Sequence, residues 1–428
     1  MEQVLNPAVR RRKRLVPLGF AFFGLILFMV VYFARPEDWI PGLAVVPLAK
    51  IAGILILLAL VFSFGDIRWH MPQEVIFLSL LVFQLWLTVP FSPVWKGGAF
   101  MVMLDFSKVL PLVIVIYAAV RSMKRLQWIL LVQATSVAAI TMASIFLAHT
   151  TAGRLEGVLS GIYGNPNDLA LAIDLNLPIC LALALTTRSY GKKLAWAVAI
   201  LAMIYAVFLT ASRAGAISLV VATLVCLWQL GVKSRRFYLL LLVPIAVIVL
   251  WLHGGGAMRE RFVQENVNFA TDNQFSGSAQ QRKQLLLRSL EVTAEHPLFG
   301  IGPGNFPVVS GVWHVSHNSY TQMSAEGGIP AFILYVLFLW RAIANLRDIR
   351  KYRKMGSKIR LFSMALEASL AAYLVGSFFG SLAYQLFPYC LVAYTSSLRL
   401  IVQRDRIESS RTPKPDPTPT QAEVMVWQ

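Results

Sequence analysis

The sequence predicts an all-α polytopic membrane protein with about twelve transmembrane helices and one long outer loop containing short helices. Three observations carry that prediction. Of its 428 residues, 57% are hydrophobic and only 14% are charged, against about 25% charged in ordinary soluble domains. Mean hydropathy is +0.63. Apolar runs of roughly 17–25 residues, long enough to cross a bilayer core as helices, recur from one end to the other. They are continuous rather than alternating, which excludes a transmembrane β-barrel.

In chain order the spans read 15–34, 46–64, 73–90, 106–120, 126–148, 168–187, 194–211, 214–231, 237–252, 319–340, 361–380 and 382–400. The net charge of +18 follows their alternation: 28 of the 39 Lys/Arg fall in loops on one side, among them the "RRRKR" of residues 10–14 and eight in 341–360. Basic loops stay in the cytoplasm, so both termini are expected there and the charge needs no nucleic-acid partner. Merging the last two spans would instead send the C-terminus outside. Cys180, Cys226 and Cys390 all fall inside spans, so no disulfide framework is expected. The basic N-terminus followed by a long apolar run without a small-x-small cleavage site reads as a retained anchor. Residues 1–404 therefore form one transmembrane domain. The Pro/Ser/Thr-rich segment 405–428 reads as a disordered cytoplasmic tail.

One loop breaks the short-loop rhythm. Residues 253–316, between spans nine and ten, face the periplasm on this topology. Within them "SAQQRKQLLLRSLEVTAEHP" begins with a capping-box pattern, Ser278 and Gln281, and ends at Pro297. Leu286, Leu290 and Thr293 share a face expected to pack on the bundle. "GIGPGNF" (300–306) reads as a tight turn; without G-K-[ST] it is not a nucleotide loop.

Ionisable groups at the membrane edge are costly, and the outer side offers few. His317 opens the tenth span. His317, Thr321, Ser324 and Gly328 recur at helical spacing and predict a stripe of small or polar groups, with Gly328 about three turns from His317. At a helix N-terminus a neutral imidazole could take a proton from a hydroxyl nucleophile, while the same helix end holds an anionic leaving group. The bland alternative is that His317 merely caps the helix; His314 could simply be solvated. Arg154, Arg213 and Arg282 lie on the outer side against the positive-inside bias, and arginine suits bidentate phosphate contacts. Snorkelling to the interface is the competing account of each. Three arginines converging on a histidine would make a diphosphate site. "GNPNDLA" (164–170) starts a helix, with Asn165 as its cap or as a substrate contact. Glu326, near the opposite face from His317, is expected to pair structurally, with an arginine for instance. No clustered carboxylate, histidine or cysteine pattern supports a metal site.

In these motifs the chain resembles the bacterial O-antigen ligases and the related O-antigen polymerases. His317, ten intervening residues and Gly328 match the family's H-x10-G signature, set in "HNSYTQMSAEGGIP". "SRAGAI" (212–217) matches its R-x3-L motif, with Ile217 where leucine is usual. "GRLEGVLSGIYGNPNDLA", the Arg282 helix and "HPLFGIGPGNF" follow the family's order over residues 150–345. The resemblance implies a glycosyltransferase without metal or cofactor. It would take a glycan from undecaprenyl diphosphate at the outer leaflet of the bacterial inner membrane and pass it to a sugar hydroxyl such as one on lipid A–core. It implies that His317 activates the acceptor, assisted by Arg213, and that Arg154, Arg213 and Arg282 hold the diphosphate. Asn165, Asn318, Glu326, Gly328 and His314 would support them. Direct attack predicts inversion at the anomeric carbon. The same motifs leave open an O-antigen or exopolysaccharide polymerase and a protein O-glycosylation ligase. A lipid-linked glycan transporter would need charges deep in several spans, where this sequence offers mainly Asp174 and Glu367.

Overall fold

The computed structural model describes residues 18–40, 42–63, 71–147, 150–151, 153–158, 163–256, 258–260, 263, 278–352 and 355–411. The basic run 10–14, Arg68, residues 264–277 and residues 412–428 lie outside the described residues. The fold is all-α, with one short ladder pairing Thr150–Thr151 with Arg154–Leu155. In lipid every backbone amide must be satisfied within its own segment, which leaves helices as the form for continuous apolar runs.

Each of the twelve expected spans contains helix among the described residues. In order they are α1 (Leu18–Ala34), α2 (Leu48–Ser63), α3 (Gln73–Phe91), a broken pair α4 (Lys96–Phe106) and α5 (Val109–Ala119), α6 (Met123–Leu147) and α7 (Pro166–Thr186). There follow α8 (Tyr190–Leu209), α9 (Arg213–Cys226, extended by a π turn over Leu227–Val232), α10 (Tyr238–Gly254), the amphipathic α11 (Ser278–Glu295), α12 (Ser319–Arg350), α13 (Ser357–Gly376) and α14 (Leu386–Arg411). Among the described residues, eight are long and apolar enough to cross a membrane, with the α4–α5 pair taken as one span Lys96–Ala119. The shorter α1 and α10 are also apolar.

Two expectations are corrected, and the separation of the last two spans is as expected. The fourth span starts ten residues before position 106, because Asp105 and Lys108 pair at 2.5 Å across the break and neutralise the polar turn that hid it. The last two spans are separate helices joined by residues 377–385, so the chain does reverse between them. Helix α14 runs to Arg411, into the segment read as tail.

Hydrogen bonds fix which helix ends share a face. The starts of α7 and α9 meet through Asn167 and Ser212; the start of α12 meets the end of α13 and the 377–385 segment through Ser319 and Ser377. At the opposite face lie the basic hairpins: Lys192 and Lys193 in the first turn of α8, Lys233 to Arg236 after α9, and the α12–α13 connection. The basic loops of the described residues thus cluster at one end of the bundle.

Glycines let α7, α9 and α13 press together. A Cβ on Gly215 would lie 2.5 Å from that of Ala170, and one on Gly376 2.5 Å from Leu171. Cys180, Cys226 and Cys390 are free and buried. Polar glue also crosses the core: Tyr394 donates to Gln133 at 2.6 Å, and Gln133 donates to Asn176 at 2.9 Å. Nearer the basic end, buried Glu74 of α3 accepts from Asn345 at 3.2 Å and from Ser396, and faces the Arg341 guanidinium at 3.6 Å. Breaking a buried pair leaves an uncompensated charge. Glu74→Ala is therefore expected to destabilise the fold by about 3 kcal/mol or more, read as a drop in unfolding midpoint in detergent. Arg341→Met combined with it should recover most of the loss.

Candidate functional site

The site lies at the end of the bundle opposite the basic hairpins. Ser212 caps α9 by accepting from the Gly215 amide at 3.1 Å, and its hydroxyl donates to Asn167 at 2.8 Å. Arg213 is thereby set as the first residue of α9. Asn165 accepts from the Asn167 amide at 2.8 Å and caps α7. Arg154 donates through Nε to the Thr210 carbonyl at 2.9 Å and through Nη2 to Asn167 at 3.1 Å. Its guanidinium braces the α8–α9 turn.

The start of α12 answers the question about His317. Asn318, not His317, is the cap: its Oδ1 accepts from the Tyr320 and Thr321 amides at 2.9 and 3.1 Å. His317 precedes it with φ +52, a backbone that L-residues with bulky side chains rarely adopt. Its amide donates to Ser381 at 3.0 Å, so the 377–385 segment holds it there. Burial, then the positive charge of Arg282 and that of His314 lower the His317 pKa from 6.5 to about 4. At neutral pH the ring is an unprotonated imidazole.

Helix α12 breaks at Gly328, with φ 79 and ψ 173, so the expected stripe down to Gly328 is not continuous. The break has a full hydrogen-bond account. Pro330 has no amide for the Glu326 carbonyl, which accepts instead from Gly302 at 2.9 Å. Ile329 donates to Pro297 rather than to Ala325, and Ala325 accepts from Ile301. The loop 297–306 is thus stitched to α12 by the carbonyls that the break releases. Gly302 and Gly304 turn it with φ of 92 and 75. Glu326 is buried and accepts from the Phe306 amide at 3.2 Å, a structural pairing as expected, though with a backbone amide rather than the arginine offered as an example. A Cβ on Gly328 would meet the Leu298 carbonyl at 2.4 Å, in a backbone region open only to glycine. Gly328→Ala should cost about 2 kcal/mol or more, read as a lower thermal midpoint with loss of activity.

Helix α11 lies against α12 through Leu285, Ser289 and Val292, one position off the expected Leu286–Leu290 face; Leu290 is exposed. Thr293 does pack as expected, sharing a hydrogen bond with Ser324 at 2.9 Å. Turned this way, α11 presents its first turns to His317. A cavity of about 360 Å³ opens between α9, α11, α12 and the 377–385 segment. Arg213, Arg282, Lys283 and His317 bring its charge and chemistry, with Ser316 and Asn318 beside them. Ala214, Ile217, Leu286, Phe378 and Phe379 make the rest of the wall apolar. No acidic residue is among the described residues that line it.

Four sequence candidates therefore meet here: Arg213, Arg282, His317 and Asn318. Arg154, Asn165, Glu326 and Gly328 do not line the cavity; their contacts are those of framework. His314 is exposed, its ring centroid 6.5 Å from that of His317. Sequence reasoning missed Lys283, though it adjoins Arg282. It also missed Phe378 and Phe379, which read as interior of the eleventh span.

Residues 198–336 match the family model described as Wzy_C: O-Antigen ligase. This stretch is similar to an O-antigen ligase domain. It runs from within α8 to within α12 and contains Arg213, Arg282, Lys283 and His317, whereas Arg154 and the two phenylalanines lie outside it. No curated protein matches the chain. The match, together with eight helices among the described residues that are long and apolar enough to cross a membrane, supports a multi-pass membrane protein related to the ligase or polymerase type, whose general partners are lipid-linked glycans and the bilayer.

Proposed function

We propose that the chain transfers a glycan from undecaprenyl diphosphate to the hydroxyl of an acceptor sugar, lipid A–core being the acceptor favoured, at the outer leaflet of the inner membrane. The observation that carries this reading is the cavity that combines three cationic side chains, an imidazole and an apolar wall. A lipid-linked diphosphate has the same division: two phosphates beside a hydrocarbon chain. Arg213 and Arg282 hold the diphosphate and stabilise the charge that develops on it as the glycosidic bond breaks. His317, neutral and partly desolvated, takes the proton of the acceptor hydroxyl as its oxygen attacks the anomeric carbon. Bond formation and departure of the diphosphate on opposite faces invert that carbon. The constrained backbone at His317 fits a residue held in place for chemistry.

Orientation follows from charge. The site lies at the end away from the basic hairpins, which the positive-inside rule assigns to the cytoplasm, so the cavity faces the periplasm. With a diphosphate as leaving group, positioning, a base and positive charge suffice.

The test is reconstitution of the full chain with undecaprenyl-diphosphate-linked glycan, with and without lipid A–core. Glycan appearing on lipid A–core with inverted anomeric configuration supports the reading. A ladder of longer carrier-linked glycans without lipid A–core identifies a polymerase instead. Retained configuration rules out single displacement, and donor crossing the bilayer with no transfer identifies a transporter.

A further inference from the structure

A second cavity lies at the basic end of the bundle, among α6, the end of α7, and the starts of α8 and α13. Its volume is about 570 Å³. Three lysines from three helices line it: Lys124, Lys192 and Lys358. Each sits in the first turn of its helix, and none of these three helices has an acidic residue in that turn. A helix N-terminus carries partial positive charge and favours carboxylates, so a lysine there works against the dipole. Here three such ends converge, and none of the described residues lining the cavity is acidic. Retention of basic loops in the cytoplasm accounts for lysines on this side of the bundle, but not for three of them surrounding one cavity.

The remaining lining says what kind of anion fits. The Thr135 and Thr186 hydroxyls donate to carbonyls of their own helices, at 2.7 and 2.8 Å from Leu131 and Ala182. The three ammonium groups are the cationic donors for a ligand, with the Gln127 amide, the Thr187 hydroxyl and the indoles of Trp128 and Trp196 beside them. Trp128 and Trp196 also line the cavity, and Leu131 and Leu183 continue it along the bundle. Tryptophan at headgroup depth above an apolar wall suits an amphiphile rather than a free ion.

We propose that this cavity binds the headgroup of an anionic phospholipid from the leaflet on the basic side, the phosphate among the three lysines and an acyl chain along Leu131 and Leu183. The site is separate from the His317 cavity and does not depend on the transfer reaction.

The experiment uses the full chain, delipidated in mild detergent and titrated with dioleoyl phosphatidylglycerol or dioleoyl phosphatidylcholine, with bound lipid counted by native mass spectrometry. The expected result is one phosphatidylglycerol retained in preference to phosphatidylcholine, a preference that falls as salt rises. Each lysine near a membrane surface is worth about a fivefold change in binding. The triple variant Lys124→Gln, Lys192→Gln, Lys358→Gln should therefore lose the preference, and the corresponding triple arginine variant should keep it. Unchanged selectivity in the glutamine variant would overturn the proposal. So would a native chain whose preference is absent or indifferent to salt, a measurement that needs no variant. Displacement of the lipid by millimolar inorganic phosphate would make this a soluble-anion site and also sink the lipid assignment.

Discussion

Replacing His317 with alanine is expected to lower the rate of glycan transfer by about 10²–10⁴-fold, the range of a lost general base, while donor binding changes little. The backbone at 317 is held by Ser381 and the adjacent cap by Asn318, so removing the ring leaves the helix start intact. The pH profile gives an independent check. In the free enzyme the imidazole is held down to about 4, chiefly by burial and then by the charge of Arg282. Below that value the ring is protonated and cannot accept a proton, so kcat/KM should rise with pH through about 4 and be flat across neutrality. A bound diphosphate offsets the arginine charge and makes protonation easier. The acid limb of kcat should therefore lie at higher pH than that of kcat/KM. His317→Ala should abolish this limb; full activity in that variant would move the base to another residue.

The helices were legible because a bilayer leaves a continuous apolar run little other choice, and each of the twelve runs contains helix among the described residues, two of them broken. Charge placement was legible for a related reason: basic loops mark one face, and the fold gathers those of the described residues there. Sequence failed where a contact between distant segments decides the outcome. Gly328 looked like the lower end of a polar stripe, and only the 297–306 loop explains it: without that loop's amides the carbonyls released by Pro330 would be unsatisfied. Phe378 and Phe379 looked like membrane interior because apolar composition does not distinguish a span from the wall of a cavity. Arg154 belonged by sequence with Arg213 and Arg282, and only its bonds to Thr210 and Asn167 separate it from them.

That separation yields the second large effect. Arg213 and Arg282 line the cavity of His317, whereas Arg154 braces the turn that carries Arg213. Arg213→Gln and Arg282→Gln are each expected to lower kcat by about 10²–10³-fold, the range seen when one donor to a developing anion is removed. Lysine at either position keeps the charge but loses the planar fork, so it should restore part of the rate and not all of it. Arg154→Gln should instead reduce stability, since it leaves the Thr210 carbonyl without this donor, and change KM and kcat by less than about tenfold at a temperature where the variant is folded. Arg282 also depresses the His317 pKa, so Arg282→Gln should move the acid limb of kcat/KM upward. Arg154→Gln should leave that limb in place, because Arg154 is not among the charges that lower the His317 pKa. An equal kinetic loss for all three arginines, with no shift of the limb in Arg282→Gln, would mean that all three act as framework and that the anion is held by other groups, Lys283 first among them.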